Sequence, residues 1–582
     1  AIGYGTMKKS DLTGSITNVK IDEKLNQLPN VSVIQSLHGN IAGLNVGPIN
    51  EAGEEPSLSI RGYNTLSTSS ADNKPLIVVD GAIYRGNLID LNTNDIEAID
   101  ILKDASSAAI YGSQASNGVL LITTKKGITS DKPVFNYSTQ YSVQTPHNPI
   151  EPMGKEELIQ FILDCNWERG GNGSRLAPDY LQPNPDFDFS PYLKTPDIQS
   201  GYAEGLNNDW WGMFTQNGVT MTHNLSVSGR NKGLGYFVSG GYSDVKGFAL
   251  GDDYSKYNLR INLDSKINDW FSVGIESFMA SSDYSGAETS LGNVFTTQPW
   301  SPVYDDNGEY ILNPNGLNLN PFLVLEQKDD ERRFNVIGNM HADITVPFIK
   351  GLSYRINYSQ NYRLNTHDNY NPYGASYTGS GYKNLSKTYL WSLDNIVSYK
   401  RIFNDIHNVN LTLVYGVEEV KNSYTYSSAQ NFADGSLGYN RLQAGDPTLF
   451  SIETGAEKEN SLYTSARLFY GFKSRYLFTG TIRRDGFSGF GSNKKMGVFP
   501  SFSLGWVASE ESFFDIDWFN YLKVRGTYGA SGRRAVGRYE TKAVVSSEPA
   551  IVFGDGGTAT IGQWISKMAN DDLGWETTTG IN

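Results

Sequence analysis

Six histidines could in principle ligate a metal. They stand at His38, His147, His223, His341, His367 and His407, and no two have the i, i+4 spacing that sets a zinc pair on one helix face. The run YDDNGEY gathers Asp305, Asp306, Asn307 and Glu309, oxygen ligands of the kind calcium takes. It fails the EF-hand register, because Tyr310 stands where the sharp turn needs glycine; a solvated turn is expected. In PDFDFSPY, Asp186 and Asp188 lie close together, but nothing marks them as a general acid and base. YGSQASNG is rich in glycine and lacks the G-K-[ST] of a phosphate cradle. There is no G-x-S-x-G elbow. Cys165 is the single cysteine, so an intrachain disulfide and a cysteine-rich metal site are both excluded. The chain reads as a non-enzyme with no cofactor and no metal.

Bulk properties narrow the class. The net charge of −14 over 582 residues argues against nucleic acid, which needs a clustered positive face. Tyrosine (35) and glycine (60) are abundant, which with Asn, Ser and Thr favours strands and turns over helices. No run of about 18 apolar residues marks a membrane helix. A β-barrel would leave a far weaker trace per segment.

The elements fall into two styles. Up to about residue 127 the chain reads as a small mixed α/β unit. VSVIQSLHGNIAGLNV reads as a short helix and a Gly-broken strand, and SLSIRG and PLIVVDG as short strands ended by glycine. DIEAIDILKD is a strand with a shift in its alternation. ASSAAIYG is a small-residue helix with Gly112 as its stop, and NGVLLITTKKG a buried strand.

From Pro133 the style changes to strict period two. YNLRINLDSKI puts Tyr257, Leu259, Ile261 and Leu263 on one face and Asn258, Arg260, Asn262 and Asp264 on the other. LSYRINYSQNYRL and NVNLTLVYGVEE repeat the pattern. These strands run to about 10–15 residues, beyond the usual length in soluble sheets. Short turns are expected at Asn231–Lys232, Asn268–Asp269, Pro347–Lys350, Asn404–His407 and Lys473–Arg475, with long connections at 283–331, 365–385, 422–460 and 532–572. Short turns on one rim and long loops on the other are the pattern of an outer-membrane barrel, which must close because an open edge in lipid leaves backbone groups unpaired. About fourteen strands are expected after residue 133.

The stretches PLIVVDG (75–81), DIEAIDILKDASSAAIYGSQASNGVLLITTKKG (95–127) and LSIRG (58–62) resemble the plug of SusC-type (SusC/RagA) TonB-dependent outer-membrane transporters. TMTHNLSVSG, YSKYNLRINLDSKINDWFSVG, RYLFTGTIRRDGFSGFG, GVFPSFSLGW, LKVRGTYGASG and DDLGWETTTGIN resemble successive barrel phrases of that family, so the likeness spans nearly the whole chain. It implies a mainly β fold: a small mixed α/β plug, residues 1–127, inside a large antiparallel transmembrane barrel that begins at 128 and runs to 582. The family barrel has about 22 strands, an open hole unless plugged. Against that pattern the sequence lacks most of a TonB-box segment before Ala1 (1–15 being the stretch next to it), any small domain ahead of it, and the remaining strands, so an incomplete barrel is expected.

The resemblance also implies a function. It implies TonB-dependent import of oligosaccharides across the bacterial outer membrane, with oligopeptides as the alternative cargo. A SusD-like surface lipoprotein would act as lid, TonB with ExbB and ExbD would supply force, and two SusC–SusD pairs could join as a dimer. Tyr63 and Asn64 in the apical loop 63–74, Tyr84 and Arg85 after the VVDG turn, and Trp300 and Tyr304 in a long loop are the candidate substrate contacts, with loop packing as the competing role for the aromatics. Arg61, Gly62, Asp80, Gly81, Lys103, Asp104, Tyr111, Gly112 and Gly118 are candidate plug latch or structural residues. Arg61 is expected either to be buried and paired with a carboxylate or to form part of a latch. A passive porin would need no plug, and a secreted β-rich glycan-binding adhesin would need no alternation of short turns and long loops.

Overall fold

The computed structural model describes residues 13–21, 31–62, 74–127, 130–146, 151–170, 187–286, 291–316, 318–373, 378–514, 518, 521–534, 537–552 and 559–582. Tyr63 and Asn64 lie outside them.

The N-terminal unit is built on a five-stranded sheet. Its strands are β1 (Ile16–Lys20), β4 (Leu76–Val79), β5 (Ala82–Tyr84), β6 (Ile96–Leu102) and β7 (Val119–Thr124), in the order β1-β6-β7-β4-β5. β4 and β7 run parallel and the other pairs antiparallel. A hairpin of β2 (Leu44–Val46) and β3 (Leu58–Ile60) packs beside it. The shift expected in the alternation of β6 falls between Ile96 and Ala98. Ile96, Ile99, Ile101, Leu102, Val119 and Leu120 are fully buried, so this sheet carries the apolar core of the unit. β4 and β5 are joined by Asp80 and Gly81, both at positive φ (50° and 90°), the Asp-Gly pair that a two-residue hairpin turn favours.

The rest is one antiparallel sheet of fourteen strands. They are β8 (Val134–Gln144), β9 (Gly218–Asn231), β10 (Leu234–Lys246), β11 (Asp253–Lys266), β12 (Phe271–Asp283), β13 (Lys328–Thr345), β14 (Leu352–Asn371), β15 (Ser380–Phe403), β16 (His407–Gln430), β17 (Ser451–Phe472), β18 (Tyr476–Phe487), β19 (Met496–Val507), β20 (Lys523–Arg533) and β23 (Glu576–Ile581), each paired with the next. β21 (Val544–Val552) and β22 (Ala559–Lys567) form a separate hairpin in the connection before β23. Among the described residues the edge strands β8 and β23 are not paired with each other.

Period two is realised with the usual burial inverted. On β11, Tyr257 is 61% exposed whereas Arg260 is 2% exposed and Asn262 3%. The apolar face looks outward, and the polar face is covered by the N-terminal unit. Strands from β9 to β20 touch that unit, from Asn224 against Asn92 to Arg525 against the Gly14 carbonyl, so the sheet curves around it. Among the described residues no helix is long and apolar enough to cross a membrane.

The short turns fall where the sequence puts them. The long connections differ from expectation because the strands are longer. β15 and β16 have 24 residues each, about 80 Å at ~3.3 Å per residue, more than twice the ~10 residues with which a barrel strand crosses a bilayer. The expected loops 365–385 and 422–460 therefore shrink to 372–379 and 431–450. Toward the strand ends the alternation of burial fades while the backbone ladder continues. A second difference is the connection between β8 and β9. It holds helices Lys155–Gly170, Pro196–Glu204 and Trp210–Phe214, for which the sequence reading assigned no elements. They are stitched to the 284–327 connection by Trp210 Nε1 donating to the Gln298 carbonyl at 3.0 Å and by Phe214 packed on Phe322.

Arg260 reaches inward from β11 to two carboxylates of the N-terminal unit, Asp95 at 3.3 Å and Asp80 at 3.7 Å, all buried. Removing the cation leaves two buried acids unneutralised, a loss of about 3–5 kcal/mol. Arg260→Met is expected to lower the unfolding midpoint and expose the N-terminal unit to trypsin, and adding Asp95→Asn should recover part of the loss. An unchanged midpoint for Arg260→Met would show that the cluster is not holding the two parts together.

Candidate functional site

Polar contacts fix the N-terminal unit to the wall on many strands, among them the following. On β11, Lys256 donates to the Ile89 carbonyl and Asn262 to Thr124 Oγ1 at 2.9 Å. On β12 and β13, Glu276 accepts from Lys126 at 3.0 Å, and Asn335 donates to Asp90 at 2.8 Å and Tyr84 Oη at 3.0 Å. On β18, Arg483 donates to the Ile110 carbonyl while Asp485 accepts from Ser113 N at 2.7 Å. Near the β19–β20 connection, Ser503 donates to Thr13 Oγ1 at 2.6 Å and Arg525 to the Gly14 carbonyl at 2.6 Å. Gly112 makes the β18 contact feasible. It has φ 58° in a kinked segment, and a Cβ there would fall inside the Arg483 and Asp485 side chains.

The rim with long connections carries two adjoining cavities, which share Glu55 and Asn87. The first, about 350 Å³, is bounded by Glu51, Glu54, Asp252, Asp253, Asp329 and Glu331, with Arg333 paired to Glu331 at 2.6 Å and His367 to Asp329 at 2.8 Å. The second, about 370 Å³, is bounded by Lys74, Arg85, Gln114, Asn117, Arg533 and Arg534. One half of this basin is thus acidic and the other basic. Burial raises the Glu55 carboxyl above its usual range, against the pull of the Leu88 amide that donates to it at 2.7 Å. Tyr284 and Tyr382 add aromatic surface to the acidic half. Carboxylates, carboxamides and rings of this kind can accept hydroxyl hydrogens and cover apolar faces.

The sequence candidates are distributed unevenly around this basin. Arg85 lines it, donating to Gln114 Oε1 at 2.9 Å and Glu418 Oε1 at 2.7 Å. Tyr84 borders it but is buried, its hydroxyl held by the Asn87 carbonyl at 2.7 Å and by Asp90. Trp300 cannot stack on a ligand: it is 0% exposed, packed among Phe189, Tyr202 and the helices of the β8–β9 connection. Tyr304 is exposed and stacked on Tyr310 in the long loop, away from the basin. Asp305 next to it accepts from the amides of Asn307 and Glu309, both at 2.9 Å, as a turn does.

Arg61 also departs from expectation. It is exposed, at φ 57°, and donates to Asn582 Oδ1 at 3.3 Å, so it is not a buried charge. Gly62 follows it at φ 88°. Asp80 accepts from Thr124 N at 2.9 Å and Thr124 Oγ1 at 2.7 Å, beyond its turn with Gly81. Lys103 donates to the Ala42 carbonyl, and Asp104 caps the short helix Ala105–Ala108 through Ser107 N at 2.8 Å. Tyr111 is buried in the second apolar cluster. Gly118 sits at φ 84° where a Cβ would meet the Leu102 carbonyl and Ile60. Gly112 does not stop a long helix; a four-residue helix passes into a 3-10 stretch that it kinks. The residues missed were Glu55, Gln114, Asp252, Arg533 and Arg534. The signal for the arginines was the run SGRRAVGR at the end of a strand and the start of a long connection.

Asp252 joins a wall loop to the N-terminal unit. Its carboxylate accepts from Ala52 N at 2.9 and 3.0 Å. Burial, helped by Glu51, Asp253 and Glu54 and opposed by the Ala52 amide, pushes its carboxyl up to about 6. A raised pKa means that the folded state holds the proton more tightly. Its stabilising contribution is therefore full below the ordinary value of 3.8 and is lost as pH rises through about 6. Asp252→Asn should melt with the wild type at pH 4 and above it at pH 7.5. The same difference at both pH values would show that this proton is not involved.

Residues 8–119 match the family model described as TonB-dependent receptor plug domain. TonB-dependent receptor P3 of Formosa agariphila is 30% identical over 605 residues, covering all of this chain and 55% of that protein. TonB-dependent receptor SusC of Bacteroides thetaiotaomicron is 28% identical over 624 residues, covering all of this chain and 58% of that protein. The chain thus spans little more than half the length of the curated relatives it matches. Among solved structures, the RagAB peptide transporter superposes with a TM-score of 0.81 at 23% identity, over 98% of this chain and 65% of that one. The siderophore receptor PirA from Acinetobacter baumannii gives 0.56 at 14% identity, over 98% and 68%. These two likenesses concern the fold. Residues 8–119 thus carry a TonB-dependent receptor plug domain, and along its whole length the chain is similar to TonB-dependent receptors, SusC among them.

Proposed function

We propose that this chain acts in the bacterial outer membrane as an energised importer of oligosaccharides, with residues 1–127 as its plug and 128–582 as barrel wall. The observation that carries this reading is the basin between the plug and the long-connection rim, lined by carboxylates, carboxamides and tyrosines. Such a lining suits the hydroxyls and ring faces of sugars. The apolar outer face of the wall supports a membrane location, since Tyr257, Leu259, Ile482 and Leu504 are exposed on it.

The plug itself closes the channel. Many of its contacts with the wall are polar and can be exchanged for water, while an apolar patch at Phe278, Ala280 and Ile337 also joins the two. Thr13 and Gly14 meet Ser503 and Arg525 beside the connection 508–522, on the rim opposite the basin. TonB, energised by ExbB and ExbD, would pull from that side. A SusD-like lipoprotein would cover the basin from the other side, and two such pairs would form the dimer. The opposite charges of the two adjoining cavities favour oligopeptides as the second reading, because a peptide carries a cation at one end and an anion at the other.

Native mass spectrometry of the protein extracted gently from its own outer membrane tests this. The expected result is a lipoprotein in near-equal stoichiometry with a retained ligand of sugar mass, and a band whose mobility in SDS shifts on boiling. A ligand of peptide mass would select the second reading. A protein that fractionates without detergent would overturn both.

A further inference from the structure

The basic half of the basin holds more donors than the protein satisfies. Arg85 Nε, Gln114 Nε2 and Arg534 Nε are buried, and among the described residues none of the three has a hydrogen-bond partner. Buried donors in native structures are nearly always paired, with protein, water or ligand. These three converge from both sides of the joint. Arg85 follows the short strand β5, and Gln114 ends the segment kinked at Gly112, so both belong to the plug. Arg534 follows the last residue of β20, on the wall.

The charges point the same way. Glu418 is fully buried behind the arginines, 2.7 Å from Arg85 and 3.9 Å from Arg534. Glu459 lies 3.9 Å from Arg534 and also holds Arg538 at 2.8 Å. These carboxylates orient the guanidinium groups without lining the cavity. Arg533 and Lys74 add two more cations to its lining, where Glu55 is the one acid. Lys74 stands 4.0 Å from that Glu55 and is half exposed.

We propose that this cavity is an oxyanion subsite and that the imported oligosaccharide is acidic, bearing a carboxylate or a sulfate ester. The inference rests on the oligosaccharide reading above. Guanidinium forks match the planar carboxylate and the sulfate group, and hydrogen bonds to an ionised acceptor are shorter and stronger than neutral ones. An oxyanion supplies the acceptors that the three orphaned donors lack. The neighbouring acidic half would accept the hydroxyl hydrogens of the adjoining sugar units. The anion would thereby touch plug and wall at once.

Calorimetry on the detergent-extracted full chain tests this with five probes: tetragalacturonate, its methyl ester, a sulfated tetrasaccharide, maltotetraose, and a tetrapeptide with a free carboxyl terminus. Tetragalacturonate or the sulfated probe is expected to bind at least tenfold more tightly than the methyl ester and maltotetraose. The gap should narrow to under threefold in Gln114→Glu, which keeps the acceptor for Arg85 and replaces the donor by a charge. Lys74→Gln, at an exposed position that leaves folding intact, should narrow it by a smaller factor. Equal affinity for acidic and neutral sugars, unchanged in both variants, overturns the acidic assignment and leaves oligosaccharide import standing. Binding of the peptide alone, or of none of the probes, overturns both.

Discussion

Arg260 between Asp80 and Asp95 is the contact on which the rest of this structure depends. A wall strand in lipid must show apolar groups outward, and period two then forces every second residue inward. In an empty barrel those inward residues would face water. Here they face protein, so each buried polar group needs a partner. The N-terminal unit supplies those partners: carboxylates for Arg260, carbonyls for Lys256 and Asn262, amides for Asp485. Plug and wall are therefore two halves of one hydrogen-bonding system.

That arrangement sets the character of the joint between plug and wall. An apolar interface of similar extent would bind strongly and lose much when exposed to water. A polar interface exchanges protein partners for water partners at small net cost per contact. The apolar core of the plug, among Ile99, Ile101 and Leu120, also takes in Phe278, Ala280 and Ile337 of the wall. Elsewhere the boundary between plug and wall is polar. At the long-connection rim it opens into the basin, where donors and acceptors of plug and wall face a cavity instead of each other.

Much of the fold was legible in the residues, and less of the site. The alternation of Tyr257, Leu259 and Ile261 with Asn258, Arg260 and Asn262 announced both strand and wall, and the turns at 231–232 and 473–475 announced the short rim. Arg85, singled out for its place after the VVDG turn, lines the basic cavity. Trp300 was misleading: an aromatic in a polar loop resembles a platform until the helices 155–170 and 196–204 close over it. Arg61 was misleading in the opposite sense, since a lone arginine between apolar strands suggests burial. Its positive φ instead turns the side chain outward.

By itself the sequence determined the strand pattern, the sidedness of each strand, the Asp80–Gly81 turn and the likeness to one receptor family. Each is a local property, carried by residues one to a few positions apart and read through side-chain period and turn chemistry. Only the tertiary structure decided which polar groups meet. Arg260 and Asp95 are 165 residues apart, and Arg85 and Glu418 are 333 apart. Such pairs follow from the curvature of a fourteen-stranded sheet around its plug, and no local preference encodes that curvature. The split of the basin into an acidic and a basic half arises the same way, because its charges come from the plug and from strands and connections spread around the wall.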